Sequence, residues 1–168
     1  MNRAITHPAL PAGVTLRAAA AADIPAMISL VNVAFEQEAF FVNRPRTHQH
    51  QLEEHFRLGY FLLAHRGPRL VASVYYELRG QRGYIGMLAV CPDDQRQGLG
   101  RAMMQAAEQA LGEAGCKIAE LSVVDVRTLP RAIYGKFGYR EAGVAKVPEE
   151  LRQKLTMPIQ LIKMEKPL

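Results

Sequence analysis

The sequence has few cysteines, no long apolar run and no dense block of basic residues. Only two cysteines, Cys91 and Cys116, occur among 168 residues, and their spacing suits neither a zinc ribbon nor a disulfide framework, so we expect reduced thiols. No apolar stretch approaches the roughly 20 residues that span a bilayer. Residues 1–12 lack the apolar core of a secretory signal, and we expect a loose N-terminus there. These absences predict a cytoplasmic protein without membrane contact.

Charge and size narrow the possible classes further. The formal net charge of +5 favours anionic partners. However, lysine and arginine occur singly or in pairs along the chain, which argues against a nucleic-acid-binding surface, so we expect no nucleic-acid partner. A length of 168 residues with 49% hydrophobic residues suits one globular domain, which we place at residues 13–168.

The hydrophobic periodicity predicts alternating strands and helices. Strands are expected at residues 14–17, 60–64, 70–78, 84–90, 118–126, 139–147 and 157–164. Helices are expected behind Asp23 and Pro25, at residues 48–57, from Leu99 onward, and at residues 129–137. Strands without helices come early and β-α-β units come later. This order predicts a mixed α/β sheet with a parallel pair near residues 84–124.

The segment after the apolar strand at residues 84–90 carries the strongest functional signal. Gly98 and Gly100 keep side chains away from backbone N–H groups at a helix N-terminus, where a pyrophosphate can bind. Arg96 and Arg101 can pair with phosphate oxygens. The segment is neither a P-loop nor a dinucleotide fingerprint. From these residues alone, a glycine-rich turn that only packs tightly is the alternative.

Gln95-x-x-Gly98-x-Gly100, with Leu88-Ala89-Val90 before it and Arg101 after it, resembles the acyl-CoA signature of the GNAT superfamily of N-acetyltransferases. Residues 131–139, with the sequence RAIYGKFGY, resemble that family's short tyrosine-bearing helix and the aromatic-Gly-aromatic segment that follows it. The resemblance extends over residues 14–164. It implies a GNAT-like α/β fold, with a mixed, mostly antiparallel sheet, a central parallel pair splayed around the acyl-CoA cleft, and helices on both faces.

The resemblance also implies acetyl-CoA as co-substrate, held by backbone amides of the loop and the preceding strand. The corresponding binding positions are Leu88, Ala89, Val90, Gln95, Arg96, Gln97, Gly98, Leu99, Gly100 and Arg101. Two positions depart from the family pattern. Arg96 stands where many members have glycine, and the asparagine often found before the tyrosine-bearing helix is absent, with Asp125 or Arg127 nearby.

The chemistry implied by the resemblance is direct attack of a neutral amine on the thioester. Tyr134 corresponds to the family's general acid; without the motif it would be interpreted as a half-buried aromatic. An alkyl amine is mostly protonated at neutral pH, so a base is also expected. Glu77 is our candidate, because it alternates with Tyr75 and Ser73 on one strand face. Glu120 and a water relay are alternatives, and either carboxylate can instead form an ion pair with an arginine.

The predicted acceptor is a small-molecule amine. Residues 40–47 join the first two helices, where the family builds its acceptor wall, and Arg44 and Arg46 there suggest a carboxylate or phosphate on the acceptor. A solvated basic loop is the alternative. The predicted function is acetyl transfer from acetyl-CoA to such an amine. The alternatives are acetylation of a protein or peptide N-terminus and a non-catalytic acyl-CoA-binding domain, and a homodimer is possible.

Three histidines near residue 50 raise the question of a metal site. They are His48, His50 and His55, and no cysteine or carboxylate triad accompanies them to complete a ligand set. We therefore expect no metal.

Overall fold

A computed structural model describes residues 9–43 and 45–168, so most of the predicted loose N-terminus lies outside the described residues. The strands of the described chain are β1 (Val14–Ala18), β2 (Tyr60–Arg66), β3 (Arg69–Arg79), β4 (Arg82–Val90), β5 (Ile118–Val124), β6 (Arg140–Ala145) and β7 (Leu161–Pro167). The α-helices are α1 (Ile24–Ala34), α2 (Gln49–Leu58), α3 (Leu99–Glu113), α4 (Thr128–Lys136) and α5 (Glu149–Arg152). None of the described helices is long and apolar enough to span a bilayer.

The strands form one sheet in the order β1-β2-β3-β4-β5-β7-β6. Every neighbouring pair is antiparallel except β4 and β5, which are parallel. The predicted mixed, mostly antiparallel sheet with a parallel pair near residues 84–124 is therefore confirmed.

The parallel pair separates soon after it begins. β4 and β5 pair from Arg82 with Ile118 to Tyr84 with Glu120. Beyond Tyr84 and Glu120, the two strands form no further pair with each other in the part of the chain that the structure describes. A bulge in β4 contributes to the change of direction: Ser73 of β3 pairs with Ala89, whereas Tyr75 pairs with Gly86. Such bulges bend a strand and increase its twist. The result is a cleft between the carboxyl halves of β4 and β5.

Helices cover both faces of the sheet, as predicted. On one face, Ile85 of β4 lies in the same core cluster as Met103 and Leu111 of α3. On the other face, Tyr84 packs against a cluster that contains Met27 of α1. Successive β4 side chains point to opposite faces, so both helices pack on the same strand. The cleft therefore begins beside a strand that is held from both sides.

The last strand begins later than the sequence predicts. β7 starts at Leu161 rather than at residue 157, and residues 146–160 form a connection that contains the unpredicted short helix α5. Pro158 has no N–H group to donate to a strand ladder, which explains why the apolar residues around it do not extend the strand. Cys91 and Cys116 are both free, as expected.

Candidate functional site

The loop between β4 and α3 has the features of an anion site. Arg96 (φ 61°) and Gly98 (φ 80°) are both left-handed, and Gly98 is the N-cap of α3. Within the described residues, the N–H groups of Arg96, Gln97 and Gly98 donate no hydrogen bond, and the first helical bond recorded runs from Ala102 to the Gly98 carbonyl, 3.0 Å. The first N–H groups of a helix have no partner within it, and the helix dipole favours negative charge there. Residues 96–101 thus offer a run of unused donors.

A buried carboxylate holds this loop against the β2–β3 hairpin. Asp94 is only 3% exposed. Its Oδ1 lies 3.2 Å from Arg66 Nε, and its Oδ2 lies 2.9 Å from Arg69 Nη1. Arg66 also donates to the Gln97 side chain at 3.1 Å. Sequence reasoning missed Asp94, because its two partners lie more than twenty positions earlier in the chain and no local spacing relates them.

The end of β4 supplies a second set of backbone groups. Residues 88–90 lie beyond the last β4–β5 pair, so their edge toward β5 has no strand partner. Gln95 donates from its side chain to the Val90 carbonyl at 3.2 Å, which joins the strand end to the loop. All ten predicted cofactor-binding positions therefore lie on one continuous path from the cleft to the start of α3.

Tyr134 lies on α4 with its hydroxyl unbonded within the described residues. Its ring packs edge-on against Phe137 and Tyr139, with centroids 6.2 and 6.1 Å away. Burial raises the pKa of Tyr134 to about 12; the nearby Tyr84 also raises it, and Arg127 lowers it. The phenol is therefore protonated at neutral pH. Its side chain packs against the same core cluster as Leu88 and Val90, which lie at the end of β4.

Glu77 is already engaged by its neighbours. The Tyr75 hydroxyl donates to Glu77 Oε2 at 3.0 Å, and Arg79 Nε donates to Oε1 at 2.9 Å, which confirms that Tyr75 and Glu77 share one face of β3. Burial raises the pKa of Glu77, but the hydrogen bonds from Arg79 and Tyr75 outweigh it and the pKa is lowered overall. A carboxylate of this kind is a weak base.

Glu120 is also paired. Arg82 Nε donates to its Oε2 at 3.0 Å, and Lys163 Nζ lies 3.1 Å from the same oxygen. Burial raises the pKa of Glu120, while the bonds from Lys163 and Arg82 lower it by more. Both candidate bases are therefore ionised and neutralised by cations.

A cavity of about 260 Å³ lies where β4 and β5 separate. It is lined by Arg79, Tyr84, Glu120, Leu121, Ser122, Val144, Ala145 and Lys163. Arg79 lies over the Tyr84 ring, with its guanidinium carbon 4.5 Å from the ring centroid. This cavity has the size and polarity to accept part of a small polar molecule.

Two connections pack together and form a wall. Asn43 donates from its backbone to the Lys154 carbonyl at 2.8 Å, and Thr156 donates to the Phe41 carbonyl at 2.9 Å. The loop between α1 and α2 is thereby joined to the β6–β7 connection. Arg44 lies outside the described residues, so the structure describes the position of Arg46 but not that of Arg44.

Buried Glu38 links this wall to α4. Its Oε2 lies 3.2 Å from Arg46 Nε, and its Oε1 lies 3.2 Å from Arg127 Nη1. Arg127 is the N-cap residue of α4. Asp125, the other residue near the absent asparagine, instead accepts a hydrogen bond from the Gln160 backbone at 2.8 Å. Sequence reasoning missed Glu38. Its partner Arg127 lies 89 positions away, so no local spacing pattern relates the two residues.

Residues 26–139 match the Acetyltransferase (GNAT) family. The chain has no significant match among curated proteins. Among solved structures, the ribosomal-protein-S18-alanine N-acetyltransferase from Escherichia coli is 18% identical with a TM-score of 0.72, covering 92% of this chain and 93% of that one. PaiA N-acetyltransferase from Thermoplasma acidophilum in complex with coenzyme A is 15% identical with a TM-score of 0.74, covering 92% and 99%. A GNAT family acetyltransferase from Elizabethkingia anophelis with acetyl-CoA bound is 15% identical with a TM-score of 0.72, covering 94% and 99%.

At these identities the solved structures show the fold alone, and they confirm the predicted GNAT-like architecture. The family match covers more than half of the chain and includes both the loop before α3 and the helix that carries Tyr134. The chain therefore belongs to the acetyltransferase (GNAT) family and is an acyltransferase.

Proposed function

We propose that this protein transfers an acetyl group from acetyl-CoA to the amine of a small-molecule acceptor. The observation that carries the proposal is the continuous path of unused backbone donors. It runs from the loop at residues 96–101 to the edge of β4 beyond its last pair with β5, where Leu88 and Val90 pack against the same core cluster as Tyr134.

The residues of this path suit acetyl-CoA. The loop N–H groups, with Arg96 and Arg101, would bind the pyrophosphate, and the β4 edge at residues 88–90 would bind the pantetheine amides. Acetyl-CoA supplies an activated thioester carbonyl. Backbone N–H groups of β4 that have no strand partner can stabilise the negative charge that develops on its oxygen.

In the transfer, the amine nitrogen forms a bond to the acetyl carbon, the carbon–sulfur bond breaks, and the thiolate leaves. We propose that the Tyr134 hydroxyl interacts with this thiolate. A pKa of about 12 lies about 3.5 units above the roughly 8.5 of a thiol, so complete proton transfer from the phenol is uphill by about 5 kcal/mol. Tyr134 therefore acts mainly by donating a hydrogen bond to the sulfur, and solvent supplies the proton in the end.

The amine must also lose a proton. Glu77 has a lowered pKa and two hydrogen-bonded neighbours, so direct removal of a proton from an ammonium group is unfavourable. We propose that Glu77 orients a water molecule through which this proton passes to bulk solvent, or that it attracts the ammonium form before deprotonation. Either role keeps Glu77 in the reaction without requiring it to be a strong base.

A protein or peptide N-terminus is the second candidate acceptor. It is favoured by the shared fold with the ribosomal-protein-S18-alanine N-acetyltransferase. An N-terminal amine also has a pKa near 8, well below that of an alkyl amine, so it needs a weaker base than most small amines do. We also propose a cytoplasmic location, with which the free cysteines agree because thiols stay reduced there. We further propose that the protein forms a homodimer.

Release of free thiol from acetyl-CoA tests the proposal. The protein should be assayed with amines, amino acids, polyamines, aminoglycosides and peptides, with acetyl-CoA binding measured separately by calorimetry. Turnover of a small amine supports the proposed function, and turnover of peptides alone supports the second candidate. Tight acetyl-CoA binding without turnover of any acceptor would indicate a binding domain.

A further inference from the structure

Two arginines from separate segments meet at Glu38, and a lysine from a third segment contacts the backbone beside one of them. Arg46 comes from the α1–α2 loop and Arg127 from the start of α4, and each contributes one nitrogen 3.2 Å from a Glu38 oxygen. Lys154 comes from the β6–β7 connection. Its Nζ donates to the Arg46 carbonyl at 3.5 Å and to the Pro45 carbonyl at 3.3 Å. Two arginines therefore share one carboxylate, and Lys154 adds a third cation beside Arg46.

The two arginines retain unused donors. Within the described part of the chain, Arg127 makes no side-chain hydrogen bond except that to Glu38, and Arg46 adds only a contact with the Phe35 ring at 5.2 Å. Their side chains are 22% and 17% exposed, for Arg46 and Arg127 respectively. Burial lowers the pKa of Lys154, and the charge of Arg46 lowers it further. Partly buried guanidinium groups with free N–H groups are well suited to bind an oxyanion.

The basic residues that line the cavity are already paired with carboxylates. Arg79 is paired with Glu77, and Lys163 is paired with Glu120. Arg46 lies over the ring of Phe35, which packs against the core cluster that contains Ala89 of β4. Arg127 is the N-cap residue of the helix that carries Tyr134. An anion bound between the arginines therefore lies next to the groups that we assign to acetyl transfer.

We propose that Arg46, Arg127 and Lys154 form a subsite for an oxyanion on the acceptor, so that the substrate is a small amine that also carries a carboxylate or a phosphate. The inference rests on the proposed function, because it places the anion beside the site of transfer. It adds Arg127 and Lys154, from distant parts of the chain, to Arg46 of the α1–α2 loop. Polyamines and aminoglycosides, which carry only cations, are disfavoured at such a site.

Matched acceptor pairs test this subsite. Thiol release from acetyl-CoA should be compared between amino acids and their carboxamides, and between O-phosphoethanolamine and ethanolamine. We expect the anionic member of at least one pair to show a kcat/KM at least 10-fold higher, and the pair that shows it identifies carboxylate or phosphate as the anion. Equal values within both pairs, or a preference for the neutral member or for spermidine, would overturn the subsite.

Single variants then assign the effect to these residues. Lys154→Met and Arg127→Lys should raise the KM of the anionic acceptor about 10-fold and change that of its neutral counterpart less than 2-fold. Arg152→Met is the matched control, because Arg152 lies two positions from Lys154 in the sequence, is 55% exposed and forms an ion pair with Glu149. The ratio between the two acceptors is measured in one protein sample, so partial unfolding does not mimic the effect. An unchanged ratio in both variants refutes the assignment.

A binding experiment separates this inference from the proposed function. The CoA-bound protein should be titrated with N-acetyl amino acids and with their carboxamides, which requires no turnover. Tighter binding of the anionic forms without turnover of any amine would support the subsite and refute the proposed function. Turnover of amines without preference, together with equal binding of both forms, would refute the subsite and leave the proposed function in place.

Discussion

Replacing Tyr134 by phenylalanine tests the centre of the proposed chemistry. The substitution removes one oxygen and keeps the ring that packs against Phe137 and Tyr139. Because the hydroxyl has no hydrogen bond within the described residues, its removal leaves no partner unsatisfied, and we expect the free energy of unfolding to change by less than about 0.5 kcal/mol. The substitution should therefore affect catalysis without affecting the fold.

The expected loss of turnover follows from the pKa of Tyr134. Full proton transfer from a phenol of pKa about 12 to a thiolate is uphill, so the main contribution is a hydrogen bond to a charged sulfur. Hydrogen bonds to charged groups contribute about 1.5–3 kcal/mol, which corresponds to a factor of about 10 to 150 in rate. We expect kcat to fall about 100-fold, at the lower end of the range for general acid catalysis. The raised pKa also means that wild-type kcat should show no alkaline loss from Tyr134 below about pH 11.

Tyr139→Phe is the matched control for this measurement. Tyr139 is buried, and its hydroxyl donates to Glu108 at 2.9 Å, away from the cleft. Its loss should lower the free energy of unfolding by about 1 kcal/mol and leave kcat within 3-fold of wild type. Thiol release at saturating acetyl-CoA gives kcat, calorimetry gives the acetyl-CoA affinity, and thermal melting gives stability. If Tyr134→Phe retains kcat within 3-fold of wild type, Tyr134 has no part in the proton chemistry.

Three further predictions concern the loop that we assign to the pyrophosphate. Gly98→Glu should lower acetyl-CoA affinity at least 10-fold in calorimetry. The control Gly98→Ala has the same left-handed backbone but no charge and should change the affinity less than 3-fold; equal effects would place the phosphates elsewhere. Asp94→Asn weakens the contacts of a buried carboxylate with two arginines. We therefore expect the free energy of unfolding to fall by about 1–3 kcal/mol in urea denaturation and acetyl-CoA binding to weaken. Unchanged binding would show that the contacts of Asp94 do not position the loop. Arg96→Gly should relieve the backbone strain of a left-handed non-glycine residue and raise the free energy of unfolding by up to about 1 kcal/mol, while weakening acetyl-CoA binding. Unchanged affinity would show that Arg96 does not contact the phosphates.

Local patterns determined most of the secondary structure and the location of the loop. Alternation and helical spacing depend on near neighbours in the chain, which is why the strand before Gln95, the helix after Gly98 and the helix bearing Tyr134 were predicted close to their observed bounds. The strand predicted from residue 157 was wrong at its start, because the effect of Pro158 on strand pairing outweighed the hydrophobicity around it.

Tertiary structure alone decided how the charged side chains are used. Glu77 was the predicted base and Glu120 the alternative, and only the fold shows that Arg79, Arg82 and Lys163 neutralise them. Ion pairs between residues far apart in sequence depend on how strands and loops are arranged in space, which hydrophobic periodicity does not encode.

The same reason explains why the contacts of Glu38 and Asp94 were not predicted. Glu38 meets Arg127 from 89 positions away, and Asp94 meets Arg66 from 28 positions away. The separation of β4 from β5 after Tyr84 is likewise set by sheet pairing and by the bulge in β4, and no single segment of the sequence specifies it. The sequence thus predicted the loop before α3 as a candidate acetyl-CoA site, and only the fold decided which charged side chains pair with one another.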